Sequence, residues 1–296
     1  MLRKIKKNKL TGYFLGWGLV LPAVIFIGVF LLVPLIQTVS LAFFAWDGVA
    51  PWKFVGIKNF IYEFTKDRFF YTSLKNTIIF TIVTSIGSML VGLILAVVLD
   101  LRVRFWKTYR FIFFMSYSLA VLAVSLLWAK IFQYDGLFNS LLQGLGLGKF
   151  AQSWFENPNY ALAIIIFTTI WQYSSFPMIF FLAGMQNISE SIYEAAMIDG
   201  ASTIRRIMAI TIPLLKHIFS TITVLLLIFN FRVFAVVFVL TGGGPSGQTE
   251  VLGVTVYKYF KLLRYGNASV VAFFGVILAV ILAFIYRKVS GYDKLN

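Results

Sequence analysis

The chain has 296 residues, of which 60% are hydrophobic and only 12% are charged, and its mean hydropathy is +0.87. An ordinary soluble domain carries about 25% charged residues, so this composition excludes a soluble globular protein and indicates a membrane protein. The net charge of +15 does not indicate binding to nucleic acid, because the basic residues flank apolar runs instead of covering one face of a soluble domain.

Long apolar stretches separate the charged residues, and each is close to the ~20 residues of helix that a hydrocarbon core of ~30 Å requires. One of these stretches is interrupted only by Arg232. The pattern predicts an all-α membrane protein, built as a six-transmembrane-helix bundle. The predicted spans lie within residues 11–44, 77–99, 109–131, 161–183, 214–240 and 267–286.

A basic N-terminus, residues 1–10, precedes the first span. The apolar run that follows is longer than the ~7 to 15 residues of a secretory signal, so it is interpreted as a retained span. Lysine and arginine favour the cytoplasmic side of membrane proteins. This rule places the N-terminus, the basic loop from Arg102 to Arg110 and the tail 287–296 in the cytoplasm, with one multi-pass membrane domain, residues 11–286, between them.

Cysteine is absent, which excludes disulfides, thiol catalysis and cysteine-based metal sites. His217 is the only histidine, and no carboxylate lies inside a predicted span. We therefore predict no catalytic residues and no metal site, which disfavours a membrane enzyme. An ion-coupled secondary transporter is disfavoured as well, because it normally carries intramembrane acids for its coupling ion.

The connection between the fourth and fifth spans, residues 185–213, is the longest and most polar of the predicted cytoplasmic segments. Ser191 and Glu194 have the spacing of a capping box, and Gly200 suits the left-handed position that ends a helix. A short helix is therefore predicted within residues 188–201.

One face of this predicted helix combines small and apolar side chains with a carboxylate, and such a face lets another protein approach closely. It consists of Ile192, Ala195, Ala196 and Asp199. The alternative is a helix lying on lipid headgroups, but such helices usually carry basic residues on their polar face. Here the polar residues are acidic, including Glu190 and Glu194, which fits a protein partner better than anionic lipid.

At this loop the sequence resembles the permease subunits of ATP-binding-cassette (ABC) importers. The loop motif consists of Glu194-Ala195-Ala196, Asp199-Gly200-Ala201 and Ile212-Pro213. Further segments are similar to the carbohydrate-uptake branch, the maltose and glycerol-phosphate type permeases. They are Phe54-Val55-Gly56 with Asn59-Phe60, Phe181-Leu182-Ala183-Gly184-Met185-Gln186, and Leu240-Thr241-Gly242-Gly243-Gly244-Pro245 with Thr249-Glu250. Several ordered motifs at matching spacing make the resemblance specific.

The resemblance implies a type I ABC importer transmembrane domain in a bacterial or archaeal cell membrane. It implies that the loop helix is a coupling helix that docks in a cleft of an ATPase through Glu194, Ala195, Ala196, Asp199 and Gly200. It also implies a second permease subunit, an ATPase dimer that binds ATP and Mg²⁺, and an extracellular solute-binding protein. The chain lacks a phosphate-binding loop ending in Gly-Lys-Ser/Thr, so it is not the ATPase, and no cofactor is expected on it.

The sequence departs from this branch in two places. Relatives commonly carry prolines early in the third span, whereas residues 113–120 contain none, which predicts a straighter helix there. Lys216 and His217 follow Pro213 where a second proline is often found.

Polar residues inside the spans are candidates for the substrate route. Arg232 lies in the fifth span, where a central cation costs about 2.5 to 3.5 kcal/mol on insertion scales. Either it is structural, bonded to backbone carbonyls or to the partner permease, or it lines the route together with Asn230. The arginine fork matches carboxylate and phosphate geometry, which leads to the hypothesis that the substrate is an acidic saccharide or a sugar phosphate. Gln172, Ser174 and Ser175 lie near Pro177, where a kink would free carbonyls that the serines can satisfy, and Gln172 is a further candidate for the route.

Overall fold

The computed structural model describes residues 17–101 and 104–290, which are mostly helical. The helices are α1 (Trp17–Leu41), α2 (Lys58–Thr65), α3 (Arg68–Asp100), α4 (Trp106–Ser118), α5 (Val121–Phe132), α6 (Leu137–Gly144), α7 (Ala161–Tyr173), α8 (Ser175–Gln186), α9 (Glu190–Ile198), α10 (Thr203–Leu214), α11 (Lys216–Phe231), α12 (Ala235–Leu240), α13 (Leu252–Lys261) and α14 (Tyr265–Ser290). Gly148–Phe150 form a 3-10 turn, and strands β1 (Phe44–Ala45) and β2 (Lys53–Phe54) pair antiparallel. The all-α prediction is confirmed apart from this hairpin. The predicted N-terminus 1–10, Arg102 and the end of the tail 287–296 lie outside the described residues.

Five helical segments are long and apolar enough to cross a membrane. They are Trp17–Leu41, Arg68–Asp100, Val121–Gly144, Ala161–Gln186 and Tyr265–Tyr286. Helices α10 and α11 qualify together as a sixth, although they are bent by 68° against each other. The described residues therefore provide five to six apolar helices, and their bounds differ from the prediction at the third and fifth spans.

The third predicted span, residues 109–131, is not one helix. Helix α4 ends before Leu119, and α5 begins after Ala120, because these two residues have extended ψ angles of 142° and 131°. The prediction of a straighter helix from the absence of proline is therefore wrong. The backbone tolerates the break without proline because the Gln172 side chain donates a hydrogen bond of 3.1 Å to the Leu119 carbonyl.

The fifth predicted span, residues 214–240, is also interrupted. Helix α11 ends one residue before Arg232, and Phe234 then adopts a non-helical φ of −148° and ψ of −63°. A Cβ on Gly253 would lie 2.8 Å from the Val233 carbonyl oxygen, so glycine allows α13 to pack against the break. The fifth predicted span is therefore not one continuous helix, and Arg232 occupies the C-terminal cap of α11.

The described residues form two compact units, one of residues 17–66 and 258–274 and the other of residues 67–257 and 275–290. The core of the larger unit lies between α3, α8 and α11. Its buried side chains are Ala96, Leu99, Met178, Phe181, Leu182, Met185, Leu215, Ile222 and Leu226. Glycines permit this packing, because a Cβ on Gly92 would lie 2.6 Å from the Ser174 carbonyl oxygen. Lipid tails are as apolar as these side chains, so close van der Waals packing stabilises the helix pairs.

The glycine-rich segment after α12 forms a turn in the larger unit. Gly242 and Gly243 have φ values of +60° and +91°, a region that glycine enters without the steric cost of a side chain. The Thr249 hydroxyl lies 2.7 Å from the Thr241 hydroxyl, and Thr249 is fully buried. The motif that carries part of the family resemblance is therefore a folded turn with internal side-chain contacts.

Helix α3 holds the residues that follow this turn. Asn76 donates both hydrogens of its side-chain amide, one to the Gln248 carbonyl at 2.8 Å and one to the Glu250 carbonyl at 2.9 Å. Two residues after Glu250, the Leu252 amide donates to the hydroxyl of Thr77, the neighbour of Asn76, at 3.0 Å. These three bonds attach the start of α13 to α3.

In the smaller unit, the hairpin of β1 and β2 is held by side chains that bond to backbone. The Asn59 amide donates to the Phe44 carbonyl at 2.9 Å. In the hairpin loop, the amides of Val49 and Ala50 donate to the Asp47 carboxylate, which holds the pKa of that carboxyl below its usual range. The loop is therefore ordered by local hydrogen bonds.

Helix α2 contributes a fully buried acid, Glu63, to the same unit. Its carboxylate accepts hydrogen bonds from the Asn267 amide at 2.8 Å and from the Tyr259 hydroxyl at 3.2 Å. A buried carboxylate needs such donors, because burial without them would be costly. The acid thus joins α2 to α13 and α14.

Candidate functional site

Helix α9 is the short helix that the sequence predicts in the loop. It begins at Glu190 with Ser189 as its N-cap, and no side chain bonds to the first amides. The hydroxyls of Ser189 and Ser191 lie 2.8 Å apart. The predicted capping box of Ser191 and Glu194 is therefore wrong, because both residues lie inside the helix.

The end of α9 follows the prediction. Gly200 has a φ of +74°, in the left-handed region that favours glycine. Its amide donates to the Met197 carbonyl at 3.0 Å, and the Ala201 amide donates to the Ala196 carbonyl at 2.9 Å. This pair of bonds is a Schellman motif, so Gly200 ends the helix as predicted.

The surface of α9 is open, since none of its residues is buried. Of the predicted docking residues, Glu194, Ala195, Asp199 and Gly200 are exposed and Ala196 is half-buried. Within the described part of the chain, the carboxylates of Glu190, Glu194 and Asp199 have no hydrogen-bond or ion-pair partner. Apolar side chains lie beside these acids, with Ile198 86% and Ile204 75% exposed. Exposed apolar side chains of this kind are typical of surfaces that contact a protein or a membrane, and the docking role of these residues stays a prediction.

A cavity of about 130 Å³ lies behind α9, between the loop and the ends of α3 and α8. Val97, Met185, Arg206 and Thr211 contribute to its lining, together with Tyr193 of α9. The Tyr193 hydroxyl lies 2.9 Å from the Thr211 hydroxyl, so one of them donates to the other. The loop helix is thus hydrogen-bonded to α10 across the edge of this cavity.

The second candidate region is the break that contains Arg232. The Arg232 side chain is exposed, and it makes no hydrogen bond or ion pair with any described residue. A structural role through backbone carbonyls of the described chain is therefore not supported. A contact with a second permease or with substrate remains as the alternative.

A cavity of about 110 Å³ adjoins this break. Its polar lining consists of Thr169, Tyr173, Asn230 and Arg232, and its aromatic lining includes Phe80, Phe229 and Phe234. Val121, the first residue of α5, also lines it. The breaks in the third and fifth apolar segments therefore meet at one cavity with both polar and aromatic walls.

The two predicted route amides have structural partners. Asn230 is 3% exposed and donates to the Ser85 hydroxyl at 2.9 Å. Gln172 is 4% exposed and bonds to the Leu119 carbonyl. Asn230 thus links α11 to α3, and Gln172 satisfies a carbonyl freed by a helix break, while their role in the substrate route stays a prediction.

Sequence reasoning missed two kinds of residue here. Thr169 and Tyr173 face the cavity one helical turn apart on α7, and the i, i+4 spacing of two polar groups in an apolar helix was the available signal. Tyr193 was missed because nothing in the loop sequence indicates that its hydroxyl meets Thr211. That contact depends on how the chain returns after Gly200.

Comparison with known proteins gives a consistent result. A family model described as a binding-protein-dependent transport system inner membrane component matches residues 88–290. A probable ABC transporter permease protein of Pyrococcus horikoshii is 34% identical over 279 residues, covering 93% of this chain and 95% of that protein. The trehalose/maltose transport system permease protein of Thermococcus litoralis is 30% identical over 282 residues, which is 95% of each.

The fold has counterparts among solved structures. A chain of a bacterial ABC transporter involved in the import of the acidic polysaccharide alginate superposes with a TM-score of 0.84 at 22% identity, covering 98% of this chain and 99% of that one. At this identity the similarity establishes the fold, and it agrees with the transmembrane domain that the sequence motifs imply.

Proposed function

This chain belongs to the family of binding-protein-dependent transport system inner membrane components, and on that basis we propose that it is the permease subunit of an ATP-driven importer of carbohydrates. The relatives named for a solute include permeases for trehalose and maltose, for lactose and for sulfoquinovosyl glycerol. Their shared chemistry is that of glycosides, so a saccharide or a glycoside is the solute class proposed for this chain.

The observation that carries the proposal is the surface of α9. Its exposed carboxylates and exposed apolar side chains lie at the end of a loop that contains the Glu-Ala-Ala and Asp-Gly-Ala motifs. A charged and apolar surface of this kind is stable when a protein covers it. We propose that an ATPase subunit covers it, with Glu194 facing a basic group of that subunit.

The remaining parts of the transporter follow from this assignment. We propose six membrane spans, with α10 and α11 forming one bent span and both termini in the cytoplasm of a bacterium or archaeon. The partners are a second permease subunit, an ATPase dimer that binds ATP and Mg²⁺, and an extracellular solute-binding protein. ATP-driven closure of the ATPases would move α9 and thereby shift the bundle between inward-open and outward-open states.

The cavity at the break of the fifth apolar segment is proposed as part of the substrate route. Broken helices in membranes occur where the freed backbone lines a cavity or is buried in protein. Arg232 brings a cation with no partner among the described residues to this place. An acidic saccharide or a sugar phosphate would supply the matching anion.

The ATPase assignment is tested by copurification. The chain is coexpressed with the second permease and the tagged ATPase from neighbouring genes, as wild type and as Glu194→Lys and Gly200→Pro variants. We expect wild type to copurify and both variants to be lost, because one reverses a docking charge and the other places proline where φ is +74°. Glu156→Lys, at another exposed acid, is the matched control and should copurify. Retention of both loop variants would contradict the proposal.

The substrate route is tested separately by uptake into proteoliposomes. Arg232→Gln is compared with wild type for a neutral disaccharide, maltose, and for an oligosaccharide of uronic acids. We expect the variant to lose uptake of the acidic sugar much more strongly than uptake of the neutral one. An equal loss for the two would refute the role of Arg232 in recognising a charged substrate.

A further inference from the structure

Helix α9 has few connections to the rest of the chain. None of its residues is buried, and a cavity of about 130 Å³ lies between it and the neighbouring helix ends. Within the described residues, Tyr193 is the one residue of α9 whose side chain hydrogen-bonds outside the loop helix and its N-cap. Its partner, Thr211, is only 4% exposed, so the bond joins an exposed helix to a buried position.

Thr211 lies next to the bend between α10 and α11, so a displacement of its side chain would be passed on to the core helices. It is the last residue of a π-helical turn, Ile207–Thr211, inside α10, and such turns are rare in helices and frequent at functional sites. The Leu215 amide bonds to the Thr211 carbonyl at 3.1 Å, and Leu215 is the residue at the 68° bend between α10 and α11.

Leu215 in turn is fixed in the core of the larger unit. It is 1% exposed and packs in the cluster that includes Met185 and Ile222. A Cβ added to Gly184 of α8 would lie 2.7 Å from Leu215 Cδ2, which shows how closely α8 contacts the bend. A continuous series of contacts therefore runs from α9 through Tyr193, Thr211 and Leu215 to α8.

We propose that the hydrogen bond between Tyr193 and Thr211 is the connection through which movement of α9 changes the bend between α10 and α11. The inference rests on the proposed function, since it assumes that an ATPase moves α9. Tyr193 is then a positioning residue, and the contacts of the ATPase with the exposed face of α9 do not depend on it. Without its hydroxyl, α9 can move over the cavity while the bend stays in place.

The absence of cysteine from the chain allows a direct measurement of the bend. Spin labels are placed on cysteines introduced at Met208 in α10 and Ile228 in α11, which are 63% and 46% exposed. The full complex with the second permease and ATPases is placed in nanodiscs. The distance between the labels is measured by double electron–electron resonance without nucleotide and after trapping with ATP and vanadate.

In the wild-type background, trapping should shift the distance between the labels. In Tyr193→Phe and in Thr211→Val we expect less than a third of that shift, and the double variant should be no worse than either single one. Thr211→Ser, which keeps the hydroxyl, should restore the wild-type shift, and Tyr109→Phe, at an exposed tyrosine, should have no effect.

The outcomes separate this inference from the proposed function. A full shift in Tyr193→Phe would overturn the proposed connection and leave the ATPase assignment intact. Failure of the Tyr193→Phe complex to assemble would also overturn it, because Tyr193 would then be needed for docking or folding of the loop. A wild-type complex that assembles but shows no shift on trapping would contradict the proposed function itself.

Discussion

The attachment of α13 to α3 by Asn76 leads to a quantitative prediction. In Asn76→Leu the side chain keeps its branching at Cγ but has methyl groups in place of the amide, so it loses two hydrogen bonds, to the carbonyls of Gln248 and Glu250. Each buried bond contributes about 1 kcal/mol net, and an unsatisfied buried acceptor costs about 1 to 3 kcal/mol. Asn76 is 5% exposed, so water does not readily replace the amide. We expect the free energy of unfolding to fall by about 2 to 4 kcal/mol.

The measurement is steric trapping in bicelles, which gives the free energy of unfolding of a membrane protein without denaturant. Asn159→Leu serves as the matched control, because Asn159 is exposed and its replacement should change stability by less than about 0.5 kcal/mol. If Asn76→Leu is no less stable than this control, the double hydrogen bond does not hold α13 to α3.

Three further changes test other parts of the fold. Gln172→Leu leaves the Leu119 carbonyl unpaired, so the free energy of unfolding should fall by about 1 to 3 kcal/mol. If stability is unchanged but sugar uptake is reduced, Gln172 instead acts in the substrate route. Gly200→Val strains a φ of +74° by about 1 to 2 kcal/mol, and amide hydrogen exchange of residues 197–201 should accelerate; unaltered exchange would contradict the Schellman ending. Gly266→Ala places a Cβ 2.2 Å from the Phe44 carbonyl oxygen, whereas in the control Gly144→Ala the added Cβ meets nothing within 4 Å. The thermal midpoint of the Gly266→Ala variant should therefore lie well below that of the control. Equal midpoints would refute the close packing at Gly266.

The features that the sequence predicts well depend on composition and on local pattern. The length of the apolar stretches predicts membrane-spanning helices, because a helix satisfies its own backbone hydrogen bonds inside a bilayer. The loop helix and its end at Gly200 are predictable because a left-handed residue after a helix favours glycine. The family resemblance rests on motifs such as Asp199-Gly200-Ala201, and the comparisons confirm the family.

The start of the loop helix shows the limit of such patterns. Ser191 and Glu194 match the capping-box spacing, yet Ser189 is the N-cap and both predicted residues lie inside the helix. A spacing rule cannot choose between two serines two residues apart, because each is a good N-cap by composition. The preceding helix α8 ends at Gln186, beside Met185, which packs in the core, so the position at which the loop begins is a feature of the folded chain.

The buried tertiary partners were not predictable for a related reason. Glu63 is fully buried and bonds to Asn267, which lies 204 residues away in the sequence. Asn230 bonds to Ser85, at a separation of 145 residues. Neither member of these pairs has an unusual local pattern, so only the folded chain shows that the polar groups satisfy each other.

The two helix breaks carry the strongest functional argument, and neither is marked by proline. Each interrupts an apolar segment that the sequence predicts to be continuous. At the first break the Gln172 side chain donates to the Leu119 carbonyl, and at the second Gly253 allows α13 to pack closely against Val233. In a membrane, backbone freed by a break is tolerated where it is buried in protein or lines a cavity. Both breaks open onto the same cavity, beside Arg232, which has no hydrogen-bond or ion-pair partner among the described residues. Two breaks that meet at one cavity, beside a cation without a partner in the described part of the chain, therefore favour the proposed substrate route over a purely structural role of this region.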